Sequence, residues 1–222
     1  MLTLHHLNNS RSQRVLWLLE ELEIDYQITL YERDPHTLLA PTSLKAIHPL
    51  GKSPVITDGD LSLAESAVIL EYLNDVYGQR RFWPGDSPSS LWQCKYWLHY
   101  AEGSLMPFLL MTLVFQRIKA APVPFFVRPV ARGIANKALD SFVSPNLSSH
   151  LDYVERHLSK NEWFAGEQMS LADFQMSFPL EAALQRGASA KSHPHLAAWV
   201  ARIHQRDAYQ RALTKSGPYA YA

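Results

Sequence analysis

A loop rich in hydroxyl and amide side chains precedes the first predicted helix. Its four polar residues are Asn9, Ser10, Arg11 and Ser12. One interpretation is helix capping, with Ser10 or Ser12 accepting a hydrogen bond from a free amide of the first turn. The alternative uses the same physics for chemistry, because a hydroxyl donor at a helix N-terminus lowers the pKa of a nearby thiol. The only cysteine, Cys94, lies far along the sequence, so a ligand would have to supply that thiol.

A second candidate segment is Gly51-Lys52-Ser53-Pro54-Val55-Ile56, in which a proline opens a predicted strand. Only about 5–6% of X–Pro bonds in folded proteins are cis, so the segment alone favours a trans bond. A cis bond would leave the amide and the carbonyl of Ser53 pointing outward. They could then pair with an extended peptide in the way an added strand does. The segment alone is compatible with both alternatives.

A third candidate segment is Leu63-Ala64-Glu65-Ser66-Ala67-Val68-Ile69, at the start of a predicted helix. Its simplest role is capping, because Ser and Glu in a first turn offset free amides and the helix dipole. In the functional interpretation, Ser66 and the first helical amides hold a ligand carboxylate. Glu65 would then accept the ammonium group of the same ligand. Together they would recognise a free amino-acid end.

The elements that carry these segments alternate between strand and helix up to about residue 80. Period-2 alternation predicts strands at residues 2–4 and 26–30, and an apolar face at helical spacing predicts a helix through residues 15–22. This βαβ unit makes the two strands parallel. Residues 54–63 predict an antiparallel hairpin around an Asp-Gly turn, and a helix over residues 65–77 follows.

The rest of the chain shows no strand alternation. A Pro-, Ser- and Gly-rich stretch predicts a linker at residues 81–90, between a first domain at 1–80 and an all-helical domain at 91–222. A capping box at Ser170-Leu171-Ala172-Asp173 precedes an apolar helix. The apolar periodicity predicts helices at 91–118 (with a bend near Pro107), 171–185 and 196–206, and one or two helices at 128–158.

Composition excludes several classes of protein. The 222 residues are 47% hydrophobic, which is globular composition. The 21 basic residues balance the 21 acidic ones, so the cationic excess of a nucleic-acid-binding protein is missing. A single cysteine rules out an intrachain disulfide framework and a thiolate zinc site. The chain opens without a signal peptide and its longest strongly apolar run is too short for a span, so we expect a cytoplasmic protein with no membrane partner.

The chain resembles the cytosolic glutathione transferase family, in its serine-type, bacterial- and fungal-like form, over essentially its whole length. Each motif alone is weak evidence for this family, but four motifs in the right order and spacing make a specific pattern. The residues that carry the resemblance are Asn9-Ser10-Arg11-Ser12-Gln13-Arg14-Val15-Leu16, Gly51-Lys52-Ser53-Pro54-Val55-Ile56, Leu63-Ala64-Glu65-Ser66-Ala67-Val68-Ile69 and Met169-Ser170-Leu171-Ala172-Asp173-Phe174.

The resemblance implies a thioredoxin-like α/β N-terminal domain followed by an all-α C-terminal domain. It also implies a cis bond before Pro54, with the backbone of Ser53 pairing with the cysteinyl part of glutathione. The γ-glutamyl end would then sit on Glu65 and Ser66, and Lys52 would neutralise the glycyl carboxylate. Glutathione is a co-substrate in this family, so the resemblance implies neither a cofactor nor a metal.

The resemblance also directs the choice of the residue that activates the thiol. Serine-type relatives carry their hydroxyl four or five residues before an arginine like Arg14, which selects Ser10 or Asn9. Ser12 is the natural N-cap, which would occupy its hydroxyl with a backbone amide. We therefore predict Ser10 as the activating residue, with Asn9 as a rival donor and Arg11 as an electrostatic helper.

Several further positions complete the expected site. His48 replaces the Asn that the family commonly has before the Pro-x-Gly stretch. A lone histidine in such a loop is more often a packing or capping group, and a ligand contact is the alternative role. Cys94 has no adjacent base and is expected to be an inert, buried thiol. The electrophile pocket is expected between the domains. Its candidate lining residues, for most of which core or dimer packing is the simpler role, are Tyr96, Tyr100, Met106, Phe108, Met111 and Phe115.

Two functions fit these residues. In the first, the protein is a homodimeric enzyme that activates glutathione for attack on hydrophobic electrophiles, peroxides or disulfides. In the second, it is a non-catalytic interaction module that keeps the fold without the chemistry. The complete set of Lys52, Glu65 and Ser66, together with the hydroxyl of Ser10, favours the enzyme.

Overall fold

The computed structural model describes residues 1–34, 37, 39–85 and 87–221. Asp86 of the predicted linker and Ala222 at the end of the predicted second domain lie outside the described residues.

The N-terminal part contains a four-stranded sheet in the order β2-β1-β3-β4. Its strands are β1 (Thr3–Leu7), β2 (Gln27–Tyr31), β3 (Val55–Asp58) and β4 (Leu61–Ala64). Strand β1 is parallel to β2 and antiparallel to β3, and β3 and β4 form the hairpin that the Asp-Gly turn predicts. The βαβ unit and the hairpin of the sequence analysis are confirmed.

Helix α1 (Ser12–Leu22) joins β1 to β2 and is buried on more than one side. Its apolar face, with Val15 and Leu19 fully buried, belongs to the core. Trp17 lies with its ring centroid 4.3 Å from that of Phe174, a residue of the second domain. A helix that packs so closely against the second domain gives the loop at its start a fixed position.

Helix α2 (Ser66–Val76) follows β4, and a short 3₁₀ helix (Thr42–Ala46) lies before β3. The segment after α2 is packed against its surroundings. The amide of Phe82, a buried residue, donates to Asn74 Oδ1 over 2.9 Å, and its carbonyl accepts from the amide of Leu171 over 3.0 Å. The domain boundaries given above stay a prediction.

The second domain begins with two long interrupted helices. The first consists of α3 (Pro88–Tyr100), a π-helical turn (Ala101–Leu105) and α4 (Met106–Ala120). The sequence predicts a bend near Pro107, and the π turn ends two residues before that proline. Proline lacks an amide donor and its ring clashes with the carbonyl four residues earlier, so the extra residue of a π turn relieves the contact.

The second long helix repeats this arrangement. It consists of α5 (Arg128–Ala138), a π-helical turn (Leu139–Val143) and α6 (Ser144–Leu158), with Pro145 just after the turn. The two long helices are antiparallel, as their ring contacts show: Tyr96 lies against Tyr153, Tyr100 against His150 and Phe108 against Phe142. The connection at residues 121–127 therefore forms the end of a helical hairpin.

Within the described residues, the helical run Pro88–Ala120 is long and apolar enough to cross a membrane, judged by length and composition alone. The core helix of a folded domain passes the same test. Trp97, Leu105 and Leu109 of this run are fully buried in the hydrophobic core.

The chain ends with α7 (Leu171–Leu184), α8 (Pro194–His204) and α9 (Asp207–Ser216). The predicted capping box is confirmed, because the amide of Ser170 donates to Asp173 Oδ2 over 2.8 Å. Burial raises the pKa of the Asp173 carboxyl to about 6, although hydrogen bonds from Phe164 and Ser170 oppose this effect.

The sequence analysis did not predict helix α9, which packs against α1. Tyr209 packs edge-on against Trp17, with the ring centroids 5.6 Å apart. Glu20 of α1 accepts hydrogen bonds from Arg211 and Lys215, and Glu21 accepts two from Arg206, just before α9. Helix α1 is thus held by both domains.

Candidate active site

The loop between β1 and α1 places a buried hydroxyl at the start of a helix. Asn9 has φ +49°, a left-handed conformation that asparagine tolerates better than most residues. This turn directs Ser10 inward, and Ser10 is 4% exposed. The Ser10 hydroxyl oxygen accepts a hydrogen bond from the amide of Ser12 over 3.2 Å and lies 2.8 Å from the Ser12 hydroxyl.

The structure corrects the reason given above for preferring Ser10 to Ser12. Ser12 is not the N-cap but the first residue of α1, and its hydroxyl does not bond to a backbone amide. The Ser12 hydroxyl instead lies 3.3 Å from the carbonyl of Leu7, to which it can donate, and 3.0 Å from His6 Nδ1. It is Ser10 that accepts from the free amide of the first turn.

A neutral histidine ends this chain of hydrogen bonds. Burial lowers the pKa of His6 to about 4, so its imidazole is uncharged near neutral pH. A neutral imidazole presents one donor nitrogen and one acceptor nitrogen. If His6 Nδ1 carries the hydrogen and donates to Ser12, and Ser12 donates to Ser10, the hydroxyl hydrogen of Ser10 stays available for a ligand.

Two arginines share one carboxylate beside this loop. Arg14 is fully buried, and its Nη1 donates to Glu102 over 2.8 Å and to Gln175 over 2.9 Å. The Nε of Arg11 donates to both oxygens of the Glu102 carboxylate at 2.9 Å. Burial raises the pKa of Glu102, but the charges and hydrogen bonds of Arg14 and Arg11 outweigh it and lower that pKa overall.

The arginine cluster has one more positive than negative charge. Among the described residues, Nε and Nη2 of Arg14 have no hydrogen-bond partner. Burial lowers the pKa of Arg14, and Glu102 opposes that effect. Both guanidinium groups lie 5.6 Å from the ring centroid of Phe178. The cluster therefore places net positive charge near the first turn of α1.

The last described residues of the chain lie on this loop. The amide of Ala220 donates to Asn9 Oδ1 over 2.7 Å. Tyr219 donates a hydrogen bond to buried Glu181, and Arg186 donates to the hydroxyl of Tyr221 over 2.9 Å. We call residues 217–221 the C-terminal tail. The predicted rival donor Asn9 thus has its side-chain oxygen engaged by this tail.

The segment before β3 has the expected cis bond, between Ser53 and Pro54. The Ser53 hydroxyl donates to the carbonyl of His5 over 3.0 Å and accepts from the amide of Leu7 over 3.3 Å. The side chain thus ties this segment to β1. That use of the side chain leaves the main chain of Ser53 as the part suited to a peptide ligand.

The start of α2 contains the most strained non-glycine residue of the candidate site. Glu65 has φ +70° and ψ +120°, and its exposed side chain makes no capping hydrogen bond. Such a conformation costs about 1–3 kcal/mol and occurs preferentially at functional sites. Ser66, directly after it, is 5% exposed and is the first residue of the helix. An exposed carboxylate and a helix N-terminus are therefore adjacent.

The side chain of Lys45, in the 3₁₀ helix, packs against Gly51, the residue before Lys52. Lys52 is exposed, and the preceding Gly51 has φ +56°. A Cβ atom on Gly51 would lie only 2.7 Å from Cγ of Lys45, so Gly51 provides room for that side chain. His48 is half-buried, and its carbonyl accepts from the amide of Gly51 over 2.8 Å. Sequence reasoning missed Lys45, whose approach depends on the fold of the loop.

The predicted electrophile-pocket residues occupy the hairpin of the two long helices. Tyr100 is 6% exposed, and its hydroxyl lies 2.6 Å from His150 Nδ1. The ring of Phe108 is 5.2 Å from that of His150. Met106 is buried and Met111 is half-buried. The structure brings Tyr100 and Phe108 together with α6, whereas Glu102 and Phe178 contact the arginines of the active-site loop.

The structure thus adds functional candidates that the sequence analysis missed. Glu102 lies 88 residues from its partner Arg14, a separation that no local pattern reveals. Phe178 and Tyr221 reach the loop only through the packing of α7 and of the C-terminal tail, with their rings 5.3 Å apart. Of the arginine cluster, Arg11 and Arg14 gave a signal in the sequence, as parts of the motif after β1, and Glu102 did not.

Two other chemistries are poorly supported. Burial raises the pKa of the Cys94 thiol to about 11, which makes it a poor nucleophile near neutral pH. Within the described part of the chain, no three His, Cys, Asp or Glu side chains cluster in a way that could hold a metal ion.

Comparison with known proteins gives the same class as the fold and the site. Residues 10–76 match the family model described as the glutathione S-transferase N-terminal domain, and residues 110–207 match that of the C-terminal domain. Glutathione S-transferase 3 of Schizosaccharomyces pombe is 38% identical over 97% of this chain and 88% of its own length. Glutathione S-transferase 1 of Saccharomyces cerevisiae is 33% identical, over 97% of this chain and 95% of its own.

Comparison with solved structures finds the same fold in other glutathione S-transferases. A glutathione S-transferase from Actinobacillus pleuropneumoniae superposes with a TM-score of 0.79 at 32% identity, covering 100% of this chain and 95% of that one. A sphingomonad glutathione S-transferase solved with glutathione shares the fold, with a TM-score of 0.73 at 19% identity over 97% of this chain and 98% of that one. The two domains are the thioredoxin-like and all-helical halves of this architecture. The chain belongs to the glutathione S-transferase family.

Proposed function

We propose that this protein is a glutathione transferase that ionises the thiol of glutathione and directs the thiolate to hydrophobic electrophiles. The observation that carries this proposal is the start of α1, where the buried hydroxyl of Ser10 lies beside a helix N-terminus and near the arginine cluster. Each of these features favours an anion over its neutral form. Together they suit a thiolate supplied by a ligand.

The γ-glutamyl end of glutathione occupies the start of α2. Its carboxylate accepts hydrogen bonds from the Ser66 hydroxyl and the first amides of the helix. Its ammonium pairs with Glu65, whose exposed carboxylate and left-handed backbone support this role. The cost of holding Glu65 in that conformation is offset by a contact that only the ligand supplies.

The middle of the tripeptide pairs with the main chain of Ser53, as a short added strand would. The glycyl carboxylate lies near Lys52, with Lys45 as a second cation and His48 as a nearby polar contact. The carboxylate of Glu65 then pairs with the one ammonium of glutathione. The helix terminus and the cations bind its two carboxylates. The recognition is therefore specific for a peptide with both termini free.

Ser10 donates its hydroxyl hydrogen to the sulfur. The oxygen of Ser10 accepts from the amide of Ser12 and, in this proposal, from the Ser12 hydroxyl, which leaves its own hydrogen for the ligand. Hydrogen bonding to the charged form lowers a pKa, and a free thiol has a pKa of about 8.5. Arg11 and Arg14 stabilise the same charge from a greater distance.

The thiolate then attacks the electrophilic carbon of the second substrate. The sulfur lone pair forms the new S–C bond, and the electron pair of the breaking bond leaves with the departing group or stays on the acceptor atom. The thiol proton has already passed to solvent. Tyr100, Met106, Phe108 and Met111 are the proposed pocket residues, and Phe178 and Tyr221 join them because they lie at the arginine cluster and the C-terminal tail.

A symmetric homodimer is part of the proposal. Trp92, Tyr96 and Tyr153 are 67%, 44% and 39% exposed, and Tyr96 and Tyr153 are in ring contact. Large aromatic side chains of this kind are enriched at protein interfaces. The zero net charge supports a protein that binds no nucleic acid, and a role in cytoplasmic detoxification is part of the proposal.

The experiment combines binding and turnover. Wild type is expected to be retained on immobilised glutathione and to conjugate chlorodinitrobenzene. The Ser10→Ala variant is expected to be retained equally well and to conjugate more slowly at neutral pH. Retention of wild type without turnover on chlorodinitrobenzene, hydroperoxides and mixed disulfides would identify a non-catalytic module instead.

A further inference from the structure

The end of the helical hairpin exposes large apolar side chains. Phe125 and Phe126 in the connection are 81% and 68% exposed, with their rings perpendicular and 5.6 Å apart. On α5, Val130 and Ile134 are 61% and 64% exposed, and their four-residue spacing places them on one face. Ile118, near the end of α4, is 39% exposed. We call residues 117–137 the hairpin tip.

The same region is the most basic part of the chain. Residues 103–139 contain no Asp or Glu, although the whole chain has as many acidic as basic residues. Their five basic residues all lie within the hairpin tip, and most of them are exposed: Arg117, Lys119, Arg128, Arg132 and Lys137. The hairpin tip is therefore both apolar and strongly positive.

Helix α5 is amphipathic on its exposed surface. Arg128 and Arg132 share one face of the helix, and Val130 and Ile134 share the opposite face. Arg128 also donates through Nε to the carbonyl of Val123 over 3.2 Å, which ties the connection to the helix. The aromatic pair thus projects from an ordered structure. Apolar side chains flanked by cations are typical of segments that lie in the interface of an anionic membrane.

We propose that the hairpin tip docks onto the surface of an anionic lipid bilayer. Phe125 and Phe126 insert at the boundary between headgroups and acyl chains, and the arginines bind the headgroup phosphates. This differs from the sequence-based expectation of no membrane partner, because a surface contact needs no spanning segment.

Charge decides between this partner and a second copy of the chain. A two-fold contact through the hairpin tip would cover the aromatic residues, but it would bring together two segments that each have five basic and no acidic residues. Like charges across an interface are unfavourable, whereas an anionic bilayer has the opposite charge. The observations therefore favour the bilayer.

Residues of the hairpin tip and of the active-site loop both act on Arg33. Burial lowers the pKa of Arg33, Tyr221 raises it, and the positive charges of Arg11 and Arg117 lower it. Arg11 belongs to the active-site loop and Arg117 to the hairpin tip. Docking would hold the active site near electrophiles dissolved in lipid. This consequence rests on the proposed function, but the docking itself does not.

Vesicle co-sedimentation tests the proposal. Wild type is expected to sediment with vesicles of phosphatidylcholine and phosphatidylglycerol, and much less with phosphatidylcholine alone. A cation near an anionic surface contributes a factor of about five in partitioning, so the Arg128→Gln/Arg132→Gln variant is expected to bind roughly 30-fold more weakly. The Phe125→Ser/Phe126→Ser variant is expected to lose binding by at least tenfold, because two aromatic side chains no longer insert.

The matched control is Val76→Ser/Lys191→Gln, which removes one exposed apolar side chain and one exposed cation outside the hairpin tip. It is expected to bind like wild type. Equal loss of binding in this control, or no binding of wild type to the anionic vesicles, would overturn the proposal.

Light scattering without lipid tests the alternative, in which a second copy of the chain covers the hairpin tip. If a second copy covers the hairpin tip, the phenylalanine variant will form a smaller assembly than wild type, and the proposal is wrong. Circular dichroism and glutathione conjugation in buffer, both expected to match wild type, show that each variant is folded. Vesicle binding by wild type does not require conjugation, so failure of the proposed function would be separately visible.

Discussion

Glu102 forms ion pairs with two arginines beside the proposed thiol. Removing its charge should therefore lower the stability of the folded protein. We expect Glu102→Gln to lower the free energy of unfolding at pH 7 by about 2–3 kcal/mol. Removing one partner from a fully buried ion pair costs ~3–5 kcal/mol, and solvent screening reduces that figure here. The Glu102 side chain is 32% exposed and that of Arg11 is 35% exposed, whereas Arg14 is fully buried. The fully buried Arg14 thus loses its only carboxylate partner among the described residues.

The effect of Glu102→Gln on stability should depend on pH, in a direction set by the pKa of Glu102. The arginines lower the pKa of Glu102 in the folded protein, so its contribution to stability is complete above the pKa of the unfolded chain, about 4.3. That contribution is lost as the pH falls through the lower folded pKa. The difference in stability between wild type and Glu102→Gln should therefore be largest at neutral pH and shrink in acid.

Urea unfolding of both proteins over a series of pH values measures this difference. Glu167→Gln is the control, because Glu167 is an exposed carboxylate on the same chain. The reasoning is refuted if Glu102→Gln is as stable as wild type at pH 7, or if the difference between them grows as the pH falls.

Three further predictions concern the ligand, the dimer and the tail. Glu65→Gln keeps the side-chain shape and removes its charge, so calorimetry should show glutathione binding weakened by about 1.5–3 kcal/mol; unchanged affinity would remove the ammonium assignment. Replacing Trp92 and Tyr96 by Ser should give the 25.3 kDa monomer mass in light scattering, where wild type gives twice that mass; a wild-type monomer would contradict the dimer. Tyr221→Ala should raise the KM for the electrophile more than that for glutathione, and equal changes in both would count against a pocket role.

Local patterns predicted most of the fold. The alternation of residues 2–4 and 26–30 gave the parallel pair, and the Asp58-Gly59 turn gave the hairpin. Helix α9 was missed because it is short and polar and is stabilised through tertiary contacts such as those of Tyr209 with Trp17. Local propensity carries little information about a helix of that kind.

The candidate site was only partly predictable. The segments around Ser10, Ser53 and Glu65 follow local motifs, so the sequence identified all three. The cap at α1 was assigned to Ser12 because helix boundaries are uncertain by one or two residues. Glu102 pairs with α1 across about ninety positions, and such a contact exists only once the domains have packed.

The most direct test of the central claim is the ionisation of the bound thiol. Thiolate absorbance of bound glutathione would be titrated in wild type and in the Ser10→Ala, Ser12→Ala and Asn9→Ala variants. A hydrogen bond to a charged group is worth about 1.5–3 kcal/mol, so losing the Ser10 hydroxyl should raise the pKa of the thiol by about 1 to 2. The other two variants should stay closer to wild type. A wild-type pKa in Ser10→Ala, with a raised pKa in one of the others, would contradict the assignment of Ser10.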